Sequence, residues 1–186
     1  MKKILVFAIA AMISVCASAK GLYVGGQAGF WHESDDRSSI NTLSILPEIG
    51  YNLNDEWAIG STIGYEMSHV CGWSSTHIFE ISPYARYTYF KSNNGLVSLF
   101  LDGGAGVGLG WTHYKGGDDS DTACIWNIGI KPGVALNLSK NVSFVAHIGM
   151  LGYQGANDAA RDGGYKSEGG LLLNGNNISL GFYVNF

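Results

Sequence analysis

The chain has 186 residues, a formal net charge of −4, 14% charged residues and 12% aromatics, which fits one domain. Charge well below the usual ~25% is poor for a soluble secreted domain, and an acidic balance with no basic run excludes a nucleic-acid-binding surface. The 27 glycines disfavour long helices.

At the start, Lys2 and Lys3 precede an apolar run from Ile4 to Ala17, then Ala17-Ser18-Ala19. A positive region, an apolar region and a small-residue site read as a cleaved secretory signal, residues 1–19, with the cut between Ala19 and Lys20 and a mature domain of 20–186. The run is short for a membrane anchor, which needs ~20 apolar residues. Lipid attachment at Cys16 is the alternative, but the bulky Val15 precedes it and Cys16 is expected to leave with the signal.

Beyond the signal no apolar stretch is long enough for a transmembrane helix; apolar residues recur instead at period two, the strand signature. Eight segments show it: 22–31, 42–52, 57–68, 77–90, 96–111, 124–137, 142–151 and a last one ending at Phe186. In the third, Trp57, Ile59, Ile63, Tyr65 and Met67 alternate with Ala58, Gly60, Thr62, Gly64 and Glu66. In the fifth, Leu99, Leu101, Ala105, Val107, Leu109 and Trp111 oppose Ser98, Asp102, Gly104, Gly106, Gly108 and Gly110. Short turns at 52–56, 91–95 and 138–141 alternate with longer polar loops at 33–41, 69–76, 112–122 and 154–169. That alternation predicts an all-β, closed, eight-stranded antiparallel up-and-down transmembrane barrel, with the short turns and both termini on the periplasmic side.

Parity supports a membrane location. The apolar parity is nearly free of charge, and the other carries Glu48, Glu66, Glu80, Arg86, Asp102 and Lys131. A soluble barrel with the apolar parity inside would show the same alternation. Strand length favours the membrane reading, since ~9–11 tilted residues cross a bilayer. So do two aromatic clusters: Tyr51, Trp57, Tyr87, Tyr89 and Phe186 toward the short turns, and Phe30, Tyr65, Phe79, Trp111 and Trp126 toward the long loops.

The closing strand Phe182-Tyr183-Val184-Asn185-Phe186 and the opening Gly21-Leu22-Tyr23-Val24-Gly25-Gly26 resemble those of the small outer-membrane β-barrels of Gram-negative bacteria, of the outer membrane protein A and X types and their porin-like relatives. The resemblance implies a location in the cell outer membrane, and a C-terminal signal, Phe182, Val184 and Phe186, read by the barrel-assembly machinery. Pro47, Pro83 and Pro132 fit badly, because proline cannot donate to a ladder and a closed barrel has no edge to hide it.

An eight-stranded barrel is just wide enough for its interior side chains to fill it, and charges there must pair. Strand heights place Arg86 and Lys131 with Asp102 and Glu48 in an internal network, with His147 and Gln27 nearby. The network reads as a structural plug; a gated ion path is the alternative. No catalytic site is expected, and no cofactor or metal. His147-Ile148-Gly149 lacks the serine two positions on that some barrel deacylases use. His32, His69, His77 and His113 lie at strand ends or in loops, where a nearby serine is common by chance. The carboxylates of Asp35, Asp36, Asp118, Asp119 and Asp121 suit solvated loops better than a calcium site.

Cys71 and Cys124 fall in loops on one side and could form a disulfide. The partners expected are outer-membrane lipid and the assembly machinery, with the barrel a monomer. Trp73, Tyr114 and Tyr165 decorate loops suited to surface contacts. The expected role is structural or surface-interacting, with a narrow porin-like channel or, less favoured, a lipid-modifying enzyme as alternatives.

Overall fold

The computed structural model describes residues 21–34, 39–117, 119–162, 165–172 and 178–186. The expected signal with its Ala19–Lys20 cut, and Asp35, Asp36 and Asp118, lie outside them. The strands are β1 (Leu22–Ser34), β2 (Ser39–Asn52), β3 (Trp57–Val70), β4 (Ser74–Lys91), β5 (Val97–Tyr114), β6 (Ala123–Asn137), β7 (Val142–Ile148), β8 (Met150–Ala156), β9 (Glu168–Leu172) and β10 (Ile178–Asn185), with one short helix, α1 (Asp158–Asp162). Each strand from β1 to β6 pairs antiparallel with the next. β6 then pairs with both β7 and β8, which pair with β10 and β9 respectively, and β10 returns to β1. With β7/β8 and β9/β10 each forming one stave, this is a closed eight-stranded antiparallel barrel.

The parity is the expected one. Ile128 and Leu180 on the outside are 56% and 52% exposed, while Glu48 and Asp102 inside are 4% and 6% exposed. At one end the turns are fastened by side chains that mimic the backbone. Asn54 Oδ1 accepts from the amides of Glu56 (2.9 Å) and Trp57 (2.8 Å), and Ser139 Oγ from that of Val142 (3.1 Å). The termini close there too, with the Gly21 amide donating to Phe186 O (3.0 Å) and the Phe186 amide to Leu22 O (2.9 Å).

At the other end the strands run further than their hydropathy suggests. Most of the expected loop 69–76 is hairpin, with only Cys71, Gly72 and Trp73 between β3 and β4. Above the apolar band, polar side chains pair across strands instead: Thr76 Oγ1 with Thr112 Oγ1 (2.9 Å), His69 Nδ1 with Ser75 Oγ (2.8 Å) and Thr42 Oγ1 with Ser68 Oγ (3.2 Å). The ladder continues where the apolar pattern stops.

The three prolines share one solution. Each bridges the preceding strand, Gly26↔Pro47, Ser61↔Pro83 and Leu101↔Pro132. None bridges the following strand among the described residues, where the ladders skip from Ile45↔Tyr65 to Glu48↔Thr62 and from Ile81↔Val107 to Tyr84↔Gly104. The missing donor therefore falls in a local gap. At Pro132 the gap is a bulge: the β6 ladder changes from Gly133↔His147 to Ile130↔Leu151, one residue out of step. The extra residue is Gly149, whose φ of 72° suits glycine. The bulge resets parity, so Leu151 and Tyr153 face outward instead of Met150.

Candidate functional site

The lower lumen is built by a repeated pairing of an inward aromatic ring with an inward glycine directly opposite: Tyr183 with Gly25, Tyr23 with Gly50, Tyr84 with Gly60 and Phe100 with Gly133. A Cβ on Gly133 would lie 2.3 Å from Phe100 Cζ, and one on Gly50 would lie 2.2 Å from Tyr23 Cζ. Each ring therefore lies flat over the space a side chain would take. Tyr23, Phe100 and Tyr183 are almost fully buried.

These rings enclose the guanidinium of Arg86. Its carbon is 4.0 Å from the Phe100 centroid, 5.1 Å from Tyr183, 5.3 Å from Tyr84 and 5.7 Å from Tyr23, all within cation–π range. Arg86 Nε and Nη2 donate to the two oxygens of Asp102, both at 2.7 Å, a bidentate fork. Nη2 also reaches Tyr183 Oη (3.1 Å) and Glu48 Oε1 (3.5 Å). Glu48 accepts from Tyr183 Oη (2.7 Å to Oε2) and from Tyr84 Oη, which is itself paired with Tyr23 Oη. His147 Nε2 lies 2.8 Å from Asp102 Oδ2, and its Nδ1 lies 3.4 Å from Gln27 Nε2. The amide can then donate to Nδ1 while Nε2–H donates to the carboxylate. Among the described residues no buried side-chain nitrogen or oxygen lacks a partner.

The structure thus joins Glu48, Arg86, Asp102 and His147, with Gln27 at the edge. Lys131 does not join them, a departure from the expectation. It stands opposite Asp102 in register, yet it is exposed to the chamber above and makes no ion pair among the described residues. Arg86 and His147 already occupy the Asp102 oxygens, and the planar fork outcompetes a single ammonium.

The Arg86 cluster lies between two chambers. The upper one, about 350 Å³, is lined by Glu66, Glu80, Lys131, His147 and Tyr165 among others. Glu80 there accepts from Asn127 Nδ2 (3.0 Å) and from Ser82 Oγ. The lower one, about 310 Å³, lies under Arg86 between the short turns. Over the upper mouth folds the segment containing α1, which no periodic pattern announced. Asn157 anchors it: the side chain accepts from the amides of Cys124 (3.0 Å) and Ala160 (2.9 Å) and donates to Thr122 O (3.2 Å). Tyr165 drops from this segment toward Glu66 and Glu80; burial and those two carboxylates push its phenol above the ordinary value.

Cys71 and Cys124 are free thiols, contrary to the disulfide considered above. Cys124 is opposite Leu109, five residues below Tyr114, which pairs with Ser74 beside the Cys71 turn. That is ~17 Å along the sheet and ~14 Å across it, against a Cα separation of at most ~7 Å in a disulfide. Among the described residues no cluster of His, Cys, Asp and Glu could hold a metal ion. The C-terminal Phe182 and Val184 face outward on β10, paired in register with Phe144 and Val142.

No curated protein matches the chain in sequence. Among solved structures it is similar to Neisserial surface protein A, at 22% identity and TM-score 0.50, over 90% of this chain and 98% of that one. It is also similar to the outer membrane protein OprG of Pseudomonas aeruginosa, at 12% identity and TM-score 0.48, over 90% and 96%. The attachment invasion locus protein of Yersinia pestis is a further neighbour, at 13% identity and TM-score 0.42, over 89% and 95%. Residues 4–186 match the family described as outer membrane protein beta-barrel domain. The chain belongs to that family and is an outer-membrane β-barrel of Gram-negative type.

Proposed function

We propose that the protein is a non-conducting barrel with a structural and surface-interaction role, sealed at its lower lumen and displaying its hairpins outside. The observation that carries this reading is the Arg86 plug: two carboxylates and four aromatic rings converge on one guanidinium, His147 holds Asp102, and among the described residues no buried side-chain nitrogen or oxygen lacks a partner. Opening a path would break a bidentate ion pair and lift rings off their glycines at once. On this reading no reaction is catalysed. His147 is spent on Asp102, and the outward His69–Ser75 contact has no third group orienting the imidazole among the described residues. The C-terminal strand would engage the assembly machinery, and the barrel would act as a monomer.

A narrow channel with the plug as its gate is the second reading, favoured by the chambers on either side. Planar-bilayer recording of the pure protein separates the two. The first predicts a silent membrane; regular single-channel steps that vanish on boiling would overturn it.

A further inference from the structure

The fifth histidine, His147, is inside; the other four fall on the outer parity. Three of them form a group on adjacent strands. His69 on β3 and His113 on β5 both stand opposite Ser75 of β4. His77, two residues further along β4, stands between Met67 and Trp111. Strand spacing puts His69 and His113 ~10 Å apart, with His77 ~7 Å below their row. His77 is held rigidly: its ring stacks on Trp111 (5.8 Å) and Tyr65 (6.2 Å), and Tyr65 Oη lies 2.8 Å from its Nδ1.

The height of the group is informative. On β4 the outward residues from Phe79 to Tyr89, ten positions at ~3.4 Å each and tilted, cover the ~25 Å apolar band of such barrels. His77 is the next outward position above Phe79, and the His69–Ser75–His113 row the next again. The imidazoles therefore stand where hydrocarbon gives way to headgroups of the outer leaflet. Among the described residues the only carboxylate at the group is Asp119, on His113. Glu66 and Glu80 of the same strands point into the lumen, Asp121 lines the cavity under α1, and Lys115 follows in the turn after β5.

We propose that His69, His77 and His113 form a recognition patch for the phosphate of an outer-leaflet lipid. Histidine changes charge between pH 5 and 8, and a cationic imidazole presents N–H donors to phosphate oxygens at shortened, charge-assisted distances. Asp119 lies on His113, which leaves His69 and His77 without a carboxylate partner among the described residues. Trp111, level with His77, and Tyr65 and Phe79 in the row beneath pack the upper acyl chain.

The test is lipid retention by the full mature chain in octyl glucoside micelles, read by native mass spectrometry at pH 5.5 and 7.5. The probes are diphosphoryl lipid A and the same lipid chemically dephosphorylated. The expected result is about fivefold or more retention of the phosphorylated lipid at pH 5.5 over 7.5, with no such ratio for the dephosphorylated one. In a His69→Gln/His77→Gln/His113→Gln variant the ratio falls to about one. A His69→Gln/His113→Gln variant, which leaves the stacked ring in place, serves if the triple variant loses its unboiled gel mobility, and should lower the ratio too. Retention independent of pH, unchanged by the substitutions or equal for both lipids overturns the proposal.

Discussion

Replacing Arg86 with methionine keeps much of the side-chain volume inside the aromatic enclosure but removes every charge-assisted bond to it. Asp102 would lose both 2.7 Å donors and keep only His147, while Glu48 would keep its tyrosines without a cation. Both carboxylates are nearly out of contact with solvent, at 6% and 4% exposure. Removing one partner of a buried ion pair costs about 3–5 kcal/mol, because the remaining charge is stranded. The aromatic contacts to the guanidinium are lost as well, each worth about 0.5–2 kcal/mol. Urea unfolding of the folded barrel in lipid, followed by gel mobility of unboiled samples, measures the loss. A second substitution, Glu48→Gln, in the Arg86→Met background removes one stranded charge and should restore at least about 1 kcal/mol. A loss under about 1 kcal/mol, or no recovery on adding Glu48→Gln, would refute the idea that the ion pairs hold the plug together.

Gly133→Ala should destabilise by about 1–3 kcal/mol, since its methyl would meet the Phe100 ring; Gly103→Ala, with nothing within 4 Å of the new Cβ, should stay within about 0.5 kcal/mol. Alkylation of the unfolded, unreduced mature protein should add two labels by mass, one each at Cys71 and Cys124; an unlabelled pair would contradict the free thiols. Because the docked segment raises the Tyr165 phenol, docking is fully favoured below the ordinary value of 10.0 and weakens as pH rises through the raised one. A spectrophotometric titration of wild type against Tyr165→Phe should therefore show one phenol ionising above 10.0, and an unshifted difference curve would sink the contact with Glu66 and Glu80.

The barrel was readable because its solvent forces a period-two rule on every stave: a charge on the wrong parity would face hydrocarbon. That rule placed Glu48, Arg86, Asp102 and His147 on one inner surface. It could not rank the two cations, since the choice of Arg86 over Lys131 turns on reach and fork geometry. The ring-over-glycine pairs were also missed. Tyr23, Gly50, Tyr84 and Gly60 were each on the inner parity, but their pairing depends on register, which hydropathy leaves open. The prolines looked like misfits because each bridges one neighbour and spares the other, a distinction invisible along a single strand. α1 and the strand extensions above the membrane carry no apolar period, so no hydropathy signal marks them. Parity placed His77 outward with Phe79, but His69 and His113 fell in expected loops; their convergence beside Ser75 needed the strand extensions and the register.

The central claim is that the two parities face different solvents, lipid outside and a closed polar interior. A nitroxide placed in turn at Ile128 and at Asn127, in a background with Cys71→Ser and Cys124→Ser, tests this most directly by electron paramagnetic resonance in bilayers. Relaxation by oxygen should dominate at position 128, and at position 127 the label should be shielded from oxygen and open only to water-soluble reagent. The reverse order would contradict the account.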